Sequence, residues 1–291
     1  MATKEKRPSE ILSFYGGRVK IEKKPWGDHY RFIKVGEKGG MFSPTRITKF
    51  LDKSQALIPW AVGLVGTHIK STFELREGIQ FSKEEIYLVV SEAILKPEEA
   101  KVKGGSTGDL IHDFAHAFAL SKMFKEVVPP TLDHLDPEDP EHAKALNGIN
   151  AFLDWYNGNK IEFLALEHVV YYNSFFAGDT KEGEEVIEYV GIMDVLVKEN
   201  GEVKVMDYKT GKRVYSEQRY QLSSYRKAWN SNEDNKKFLA TSSKVLNFSK
   251  ETGELVPLEI SNEESEKDFK AFKGLFAVAV REKELDSNYS K

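Results

Sequence analysis

The chain has no cysteine in 291 residues. That excludes disulfides, thiolate zinc sites, cysteine nucleophiles and any cysteine-ligated iron–sulfur cluster. A strong charge of one sign is also missing: 42 Lys and Arg against 46 Asp and Glu leave a formal net charge of −4. Bulk charge therefore does not recruit a polyanion, and any nucleic-acid contact needs a local basic face. No run of about 18 apolar residues occurs, so no membrane span and no membrane partner are expected. The opening "MATKEKRPSEILSFYGG" has no apolar signal core and carries acids, against a secretory or transit leader. The expected location is cytoplasmic. A phosphate loop is lacking as well, because "DYKTGK" has no glycine at the required upstream spacing. No bound nucleotide is expected, and no internal repeat is visible.

What is present suits a soluble globular protein, with 40% hydrophobic and 30% charged residues. Such a chain can bury a full core as one large domain or two small ones. Residues 1–16 are expected to form a loosely docked arm. Two alternating runs around Pro25-Trp26-Gly27 predict a hairpin over 17–35. Ser43 and Pro44 suit the N-cap and first position of a helix that Pro59 should kink or end. Ser82 with Glu85 caps a second helix, and "STGDLIHDFAHAFALSKMF" reads as a separate third one. After an acidic, proline-rich loop, a fourth helix ends at Asn157-Gly158-Asn159. The character then changes to strands: 161–173, then two joined at "KENGE", a type I′ turn signal. A helix over "SEQRYQLSSYRKAWNS", a strand pair around "KETGE" and a closing helix complete the chain. The order predicts an α/β or α+β fold with a helical N-terminal half over a mixed sheet. The expected division is an arm and hairpin over 1–40 and one domain over 41–291, with helical cover 41–160 and sheet core 161–291.

One stretch breaks the strand pattern. In "GIMDVLVKENGEVKVMDYKTGK" two aspartates and a lysine sit in otherwise apolar runs. Alternation predicts Ile192, Asp194 and Leu196 on one face, with Met193, Val195 and Val197 on the other. A turn at Asn200-Gly201 brings Asp194 and Asp207 together, and Lys209 points to the side of Asp207. Carboxylates in such a place are costly to bury without a counter-charge. Edge-strand solubility with a surface ion pair is the plain explanation. A divalent cation is the other: Mg2+ and Mn2+ prefer oxygen ligands, and they activate water and neutralise phosphate.

The surrounding motifs favour the cation. Gly191 and Asp194 form G-x-x-D. Asp207, Lys209 and Thr210 form D-x-K-T. Gln221, Leu222 and Tyr225 form Q-L-x-x-Y, and Gly108 and His112 form an upstream G-x-x-x-H. This set, over roughly 40–230, resembles the PD-(D/E)XK nuclease superfamily and in detail its RecB-like, Cas4-like branch. The resemblance implies a restriction-endonuclease-like core with a central mixed sheet. It implies Asp194, Asp207, His112 and Glu167 as ligands of one or two Mg2+ or Mn2+ ions, with the Tyr208 carbonyl as a further ligand. Asp194, Asp207, Lys209, Glu167 and Gln221 become the catalytic set. The cluster cysteines of many such proteins are absent, and without a nucleotide-binding loop the chain is not a fused helicase–nuclease.

Other residues have plainer alternatives. Glu167, among Leu164, Ala165, Leu166 and Val169, is expected to be buried against His112 or the cation. His116 is expected to be structural or substrate-lining, and His168 to face solvent or packing. Gln221 and Tyr225 share a helix face. Ser43, Thr45 and Arg46 near a helix start suit a phosphate or ordinary capping. Lys212, Arg213 and Arg219 lie just past the catalytic strand, where a DNA backbone would run, and Tyr225 stacks or packs. Phe42 and Trp60 are base-stacking or core residues. The expected function is a metal-dependent DNA exonuclease, on single-stranded or end-containing DNA, in phage or cellular recombination, replication or repair, with protein partners from those processes. A restriction-type endonuclease on the same core is the alternative, and an inactive DNA-binding protein on the nuclease fold is the alternative from another class.

Overall fold

The computed structural model describes residues 8–27, 29–211 and 213–289, the last three by backbone alone. Its centre is a five-stranded sheet of β4 (Ile161–Asn173), β5 (Glu188–Glu199), β6 (Glu202–Lys209), β7 (Ser242–Phe248) and β8 (Leu255–Ile260), in that order. Only β6 and β7 run parallel; their crossover is α5 (Ser216–Ser231). The mixed sheet flanked by helices is the α/β, restriction-endonuclease-like architecture expected. Asn200 and Gly201 both have positive φ, 52° and 96°, as a type I′ turn requires.

Two helical layers bury the sheet. On one face α5 and α6 (Asn262–Tyr289) pack Leu222, Tyr225, Phe272 and Phe276 against Met193, Leu196 and Val205. On the other, α3 (Lys83–Met123) and α4 (Pro140–Gly158) pack Ile111, Ala115, Ile149 and Phe152 against Val195, Met206 and Leu246. Spacings of three and four in α3 and α4 supply these apolar stripes.

The N-terminal region departs from expectation in three ways. Residues 1–7 of the expected arm lie outside the described residues. Glu10–Phe14 is not an arm but a strand, β1, which joins β2 (Val19–Trp26) and β3 (His29–Lys34) in a three-stranded sheet. Burial decides this: Phe14 and Tyr15 pack with Ile21 and Phe32 against Tyr171 and Val190 of the central sheet. Second, Pro59 does not end a helix but lies inside one. The chain breaks earlier, between α1 (Pro44–Thr48) and α2 (Ser54–Glu74). Pro59 lies in the second turn of α2, where its missing N–H forfeits one hydrogen bond near the helix start. Third, the expected second and third helices are one: α3 is continuous through Pro97 and Gly104-Gly105, and its N-terminus carries the Ser82/Glu85 capping box. Lys250 Nζ donates to the Gly104 carbonyl at 2.9 Å and ties the weak stretch to the β7–β8 turn.

Candidate active site

The β5–β6 ladder ends at Val195↔Met206. The next positions in that register are Asp194 and Asp207, so both carboxylates stand where the strands part. The Tyr208 N–H, left without a β5 carbonyl, donates to Asp194 Oδ2 at 3.2 Å. Hairpin arithmetic predicted this juxtaposition, but not the way the strand is built around it. Met193 and Leu196 pack on the same side of the sheet and Val195 on the other. Ile192 packs with the N-terminal sheet. The expected alternation through Asp194 therefore resets at that residue, which corrects the placing of Ile192 and Leu196 on one face. The neighbouring strand resets at the same level. Glu167, opposite Asp194 in the register, has φ +42°, a left-handed conformation rare for a non-glycine residue. Two strands adjusting together open the end of the hairpin instead of filling it.

Asp207 is buried and Lys209 Nζ lies 2.5 Å from its Oδ2. The two form a close ion pair, with the Lys209 ammonium facing this buried oxygen. Burial is the largest influence on Asp207 and pushes its carboxyl up to about 7; Asp194 adds to the rise and Lys209 opposes it. For Lys209, burial disfavours the ammonium, but Asp207 and Asp194 outweigh it and hold the group protonated above its ordinary range. Lys209 also donates to the Tyr208 carbonyl at 3.2 Å. Burial, reinforced by Lys209, pulls the His112 imidazole below its usual pKa and favours the neutral ring.

Motif glycines are explained by close approaches. A Cβ on Gly191 would lie 2.7 Å from Tyr225 Cε1 and 3.0 Å from Pro44 Cδ. A Cβ on Gly108 would lie 2.9 Å from Thr210 Oγ1. Gly191 thus lets the Q-L-x-x-Y helix press on the strand that carries Asp194. Gly108 lets α3 approach the strand end that carries Lys209, which places His112 at the site.

A cavity of about 140 Å³ joins His112, Asp113, His116, Leu166, Glu167, Asp194 and Tyr208. Glu167 is not buried, although its apolar neighbours suggested that it would be; its side chain is 70% exposed, and the His116 ring lies beside it, with Nδ1 4.0 Å from Oε1. The left-handed turn at Glu167 swings the side chain out of the sheet. His116 lines this cavity, as the substrate-lining alternative expected, and Asp113, not among the expected site residues, lines it too. The available signal was a polar stripe of Asp109, His112, Asp113 and His116 at helical spacing, opposite the apolar stripe of the same helix. His168 faces away and packs edge-on to Trp229, with centroids 5.2 Å apart.

The remaining candidates are placed unevenly. Gln221 Nε2 donates to Thr45 Oγ1 at 2.9 Å and to the Tyr225 hydroxyl at 2.7 Å. Tyr225 is buried, and burial raises its phenol to about 12. It packs and does not offer a stacking face. Ser43 caps Arg46 N at 3.3 Å, and the Arg46 guanidinium lies 5.9 Å from the centroid of the Phe42 ring. Phe42 itself packs on Phe276, with centroids 5.5 Å apart. Arg219 is paired with Asp268 at 3.0 Å and Glu264 at 2.9 Å. Arg213 is exposed over Tyr215, 4.8 Å from the ring centroid. Lys212 lies outside the described residues.

Among the described residues no three His, Asp or Glu side chains converge closely enough to close a coordination sphere. The four-ligand set of Asp194, Asp207, His112 and Glu167 is thus not drawn together, although three of its members line one cavity. The pair of Asp194 and Asp207 still suits a hard divalent cation. Mg2+ is commonly held by one or two carboxylates and keeps its waters, and two adjacent carboxylates that disfavour each other's charge are oxygen donors of that kind.

No curated protein matches the chain as a relative. The family model of the PD-(D/E)XK nuclease superfamily matches residues 86–287, from the second turn of α3 to the end of α6. That span contains the carboxylate pair, the lysine and both helices that press on them, and more than half of the chain. By this match, together with the mixed sheet and its parted hairpin, the chain belongs to the PD-(D/E)XK nuclease superfamily.

Proposed function

We propose that the protein is a metal-dependent DNA exonuclease of the RecB-like branch, acting on single-stranded DNA or on DNA with a free end. The observation that carries this reading is the buried Asp207 carboxylate beside Asp194 and Lys209 at the parted end of a hairpin. The order G-x-x-x-H, G-x-x-D, D-x-K-T, Q-L-x-x-Y supports the branch. Mg2+ or Mn2+, bound by Asp194 and Asp207, would supply charge neutralisation and water activation for phosphodiester hydrolysis. Lys209 presents a fixed positive charge to the scissile phosphate, held in place by Asp207 and the Tyr208 carbonyl. Neutral His112 and exposed Glu167 face the same cavity and stand ready as further donors. Gln221 and Thr45 brace Tyr225, which sets the strand of Asp194. Arg213 remains an open cation for the phosphate backbone.

The test is digestion of end-labelled linear single and double strands beside covalently closed circles, with Mg2+ or Mn2+. Cleavage of linear DNA alone is expected, abolished in Asp207→Ala and lowered by about 10²–10³ in Lys209→Ala. Cleavage of circles establishes the endonuclease instead. A wild-type protein that retards DNA in a gel without cutting it establishes an inactive binding protein.

A further inference from the structure

Helix α2 has 21 residues and buries none of them. It packs antiparallel to the first half of α3, and this helical hairpin is unusually apolar. Of the 25 large hydrophobic residues exposed among the described residues, 13 lie between Leu57 and Val102. Ile58 and Val62 on α2, and Leu88, Ile94, Leu95 and Val102 on α3, are each 58–65% exposed. At roughly 100 Å² open per half-exposed side chain, the thirteen leave on the order of 1,000 Å² of apolar surface spread over the hairpin and its turn. A standard interface takes about 800 Å² from each partner. The area is that of a protein interface and exceeds what a free monomer ordinarily leaves wet.

Charge narrows the occupant. Residues 54–69 contain no Asp, Glu, Lys or Arg, and residues 83–103 of α3 carry four Lys against five Glu. A nucleic acid would meet no excess of cations there. Spacing narrows it further. Leu88, Leu95 and Val102 recur every seven residues, the period that keeps one stripe in line for helix packing between chains. Gly63 and Gly66 have nothing within 4 Å of an added Cβ, so a second helix can approach the α2 backbone closely.

We propose that two copies of this chain associate through their α2–α3 hairpins, which pack against each other about a two-fold axis as a four-helix bundle. The same patch on both copies makes the interface self-complementary and closed. This assembly does not depend on the nuclease reading, and its tests do not use activity.

The full chain is examined by sedimentation across micromolar concentrations. The expected mass is twice the 33.1 kDa of the chain. Leu88→Glu, and separately Val62→Glu, weaken self-association by at least ~10-fold, about 1.4 kcal/mol, with unchanged helical circular dichroism. Hydrogen exchange of the unaltered protein covers the case of a variant that does not fold: amide protection confined to 54–103 falls on dilution. A monomer at every concentration overturns the proposal, as does a dimer that both folded variants leave intact, or protection that ignores dilution. Monomeric protein that binds lipid vesicles or single-stranded DNA, and loses this in Leu88→Glu, assigns the surface to that partner instead.

Discussion

Asp207 is held in a place that disfavours its charge, and Lys209 beside it does not fully compensate. The sign of the resulting pH effect is fixed. The carboxyl titrates near 3.8 when exposed and at about 7 in the fold, so its contribution to stability is full below about 3.8 and is lost as pH rises through about 7. In chelator, Asp207→Asn should therefore melt higher than the parent at pH 8, by on the order of 2 kcal/mol, and with little difference at acid pH. Thermal melts at both pH values decide it. A divalent cation should restore the parent, raising its melting point more at pH 8 than at pH 6, because the ligand must be ionised. The same residue must fail in function: Asp207→Asn abolishes cleavage while it stabilises the metal-free fold. Lys209→Ala removes one fixed charge from the phosphate site and should lower kcat by about 10²–10³, measured under single-turnover conditions. The legible part at this scale was the trio itself, because Asp194 and Asp207 lie symmetrically about a recognisable turn. Glu167 was misjudged because a left-handed φ in mid-strand leaves no mark in the order of residues.

At the scale of elements, the β5–β6 hairpin is fastened at one end and open at the other. The fastened end is Glu199, buried between Lys204 and Lys244, each at 2.8 Å, with the Trp155 indole N–H also donating at 2.8 Å. Burial alone would raise its carboxyl, but the two lysines and Trp155 lower it below the ordinary carboxylate range. Its stabilisation is present above about 4.5 and fades as pH falls through that lowered value. Glu199→Gln removes the buried carboxylate of the two lysines and leaves them only the half-exposed Glu259 that they also share; it should cost about 1–3 kcal/mol at neutral pH, measured by urea unfolding. At the open end, Gly191→Ala forces Tyr225 and Pro44 back from the strand. A loss of about 1–3 kcal/mol is expected from overpacking, together with a fall in kcat, although no reacting group has changed. Unaltered kcat in a folded Gly191→Ala protein would show that Tyr225 does not set Asp194. Helix existence was largely readable here from periodicity and caps. Helix continuity was not: Pro97 and the paired glycines are breakers in isolation, and α3 runs through them under tertiary ties such as Lys250.

For the whole molecule, the N-terminal three-stranded sheet is a buttress for the central one. Tyr15 is buried, its hydroxyl accepts from Asn173 N at 3.3 Å and its own N–H donates to Asn232 Oδ1 at 3.2 Å. Two parts joined this way should unfold together. Calorimetry is expected to show one transition, with Tyr15→Ala lowering it as a whole by about 3–5 kcal/mol; a separate early transition for the N-terminal sheet would count against the joint. Local patterning settles much about this chain. Cysteine chemistry is excluded by absence, the hairpin register follows from a two-residue turn, and the helical faces follow from apolar spacing, since each depends on residues a few positions apart. Contacts between distant segments settle the rest. Where the strand pattern resets, which glycine a tyrosine leans on, how far Glu167 swings out, and that α2 is left uncovered all depend on surfaces meeting across the fold, for which no short stretch of sequence carries a signal.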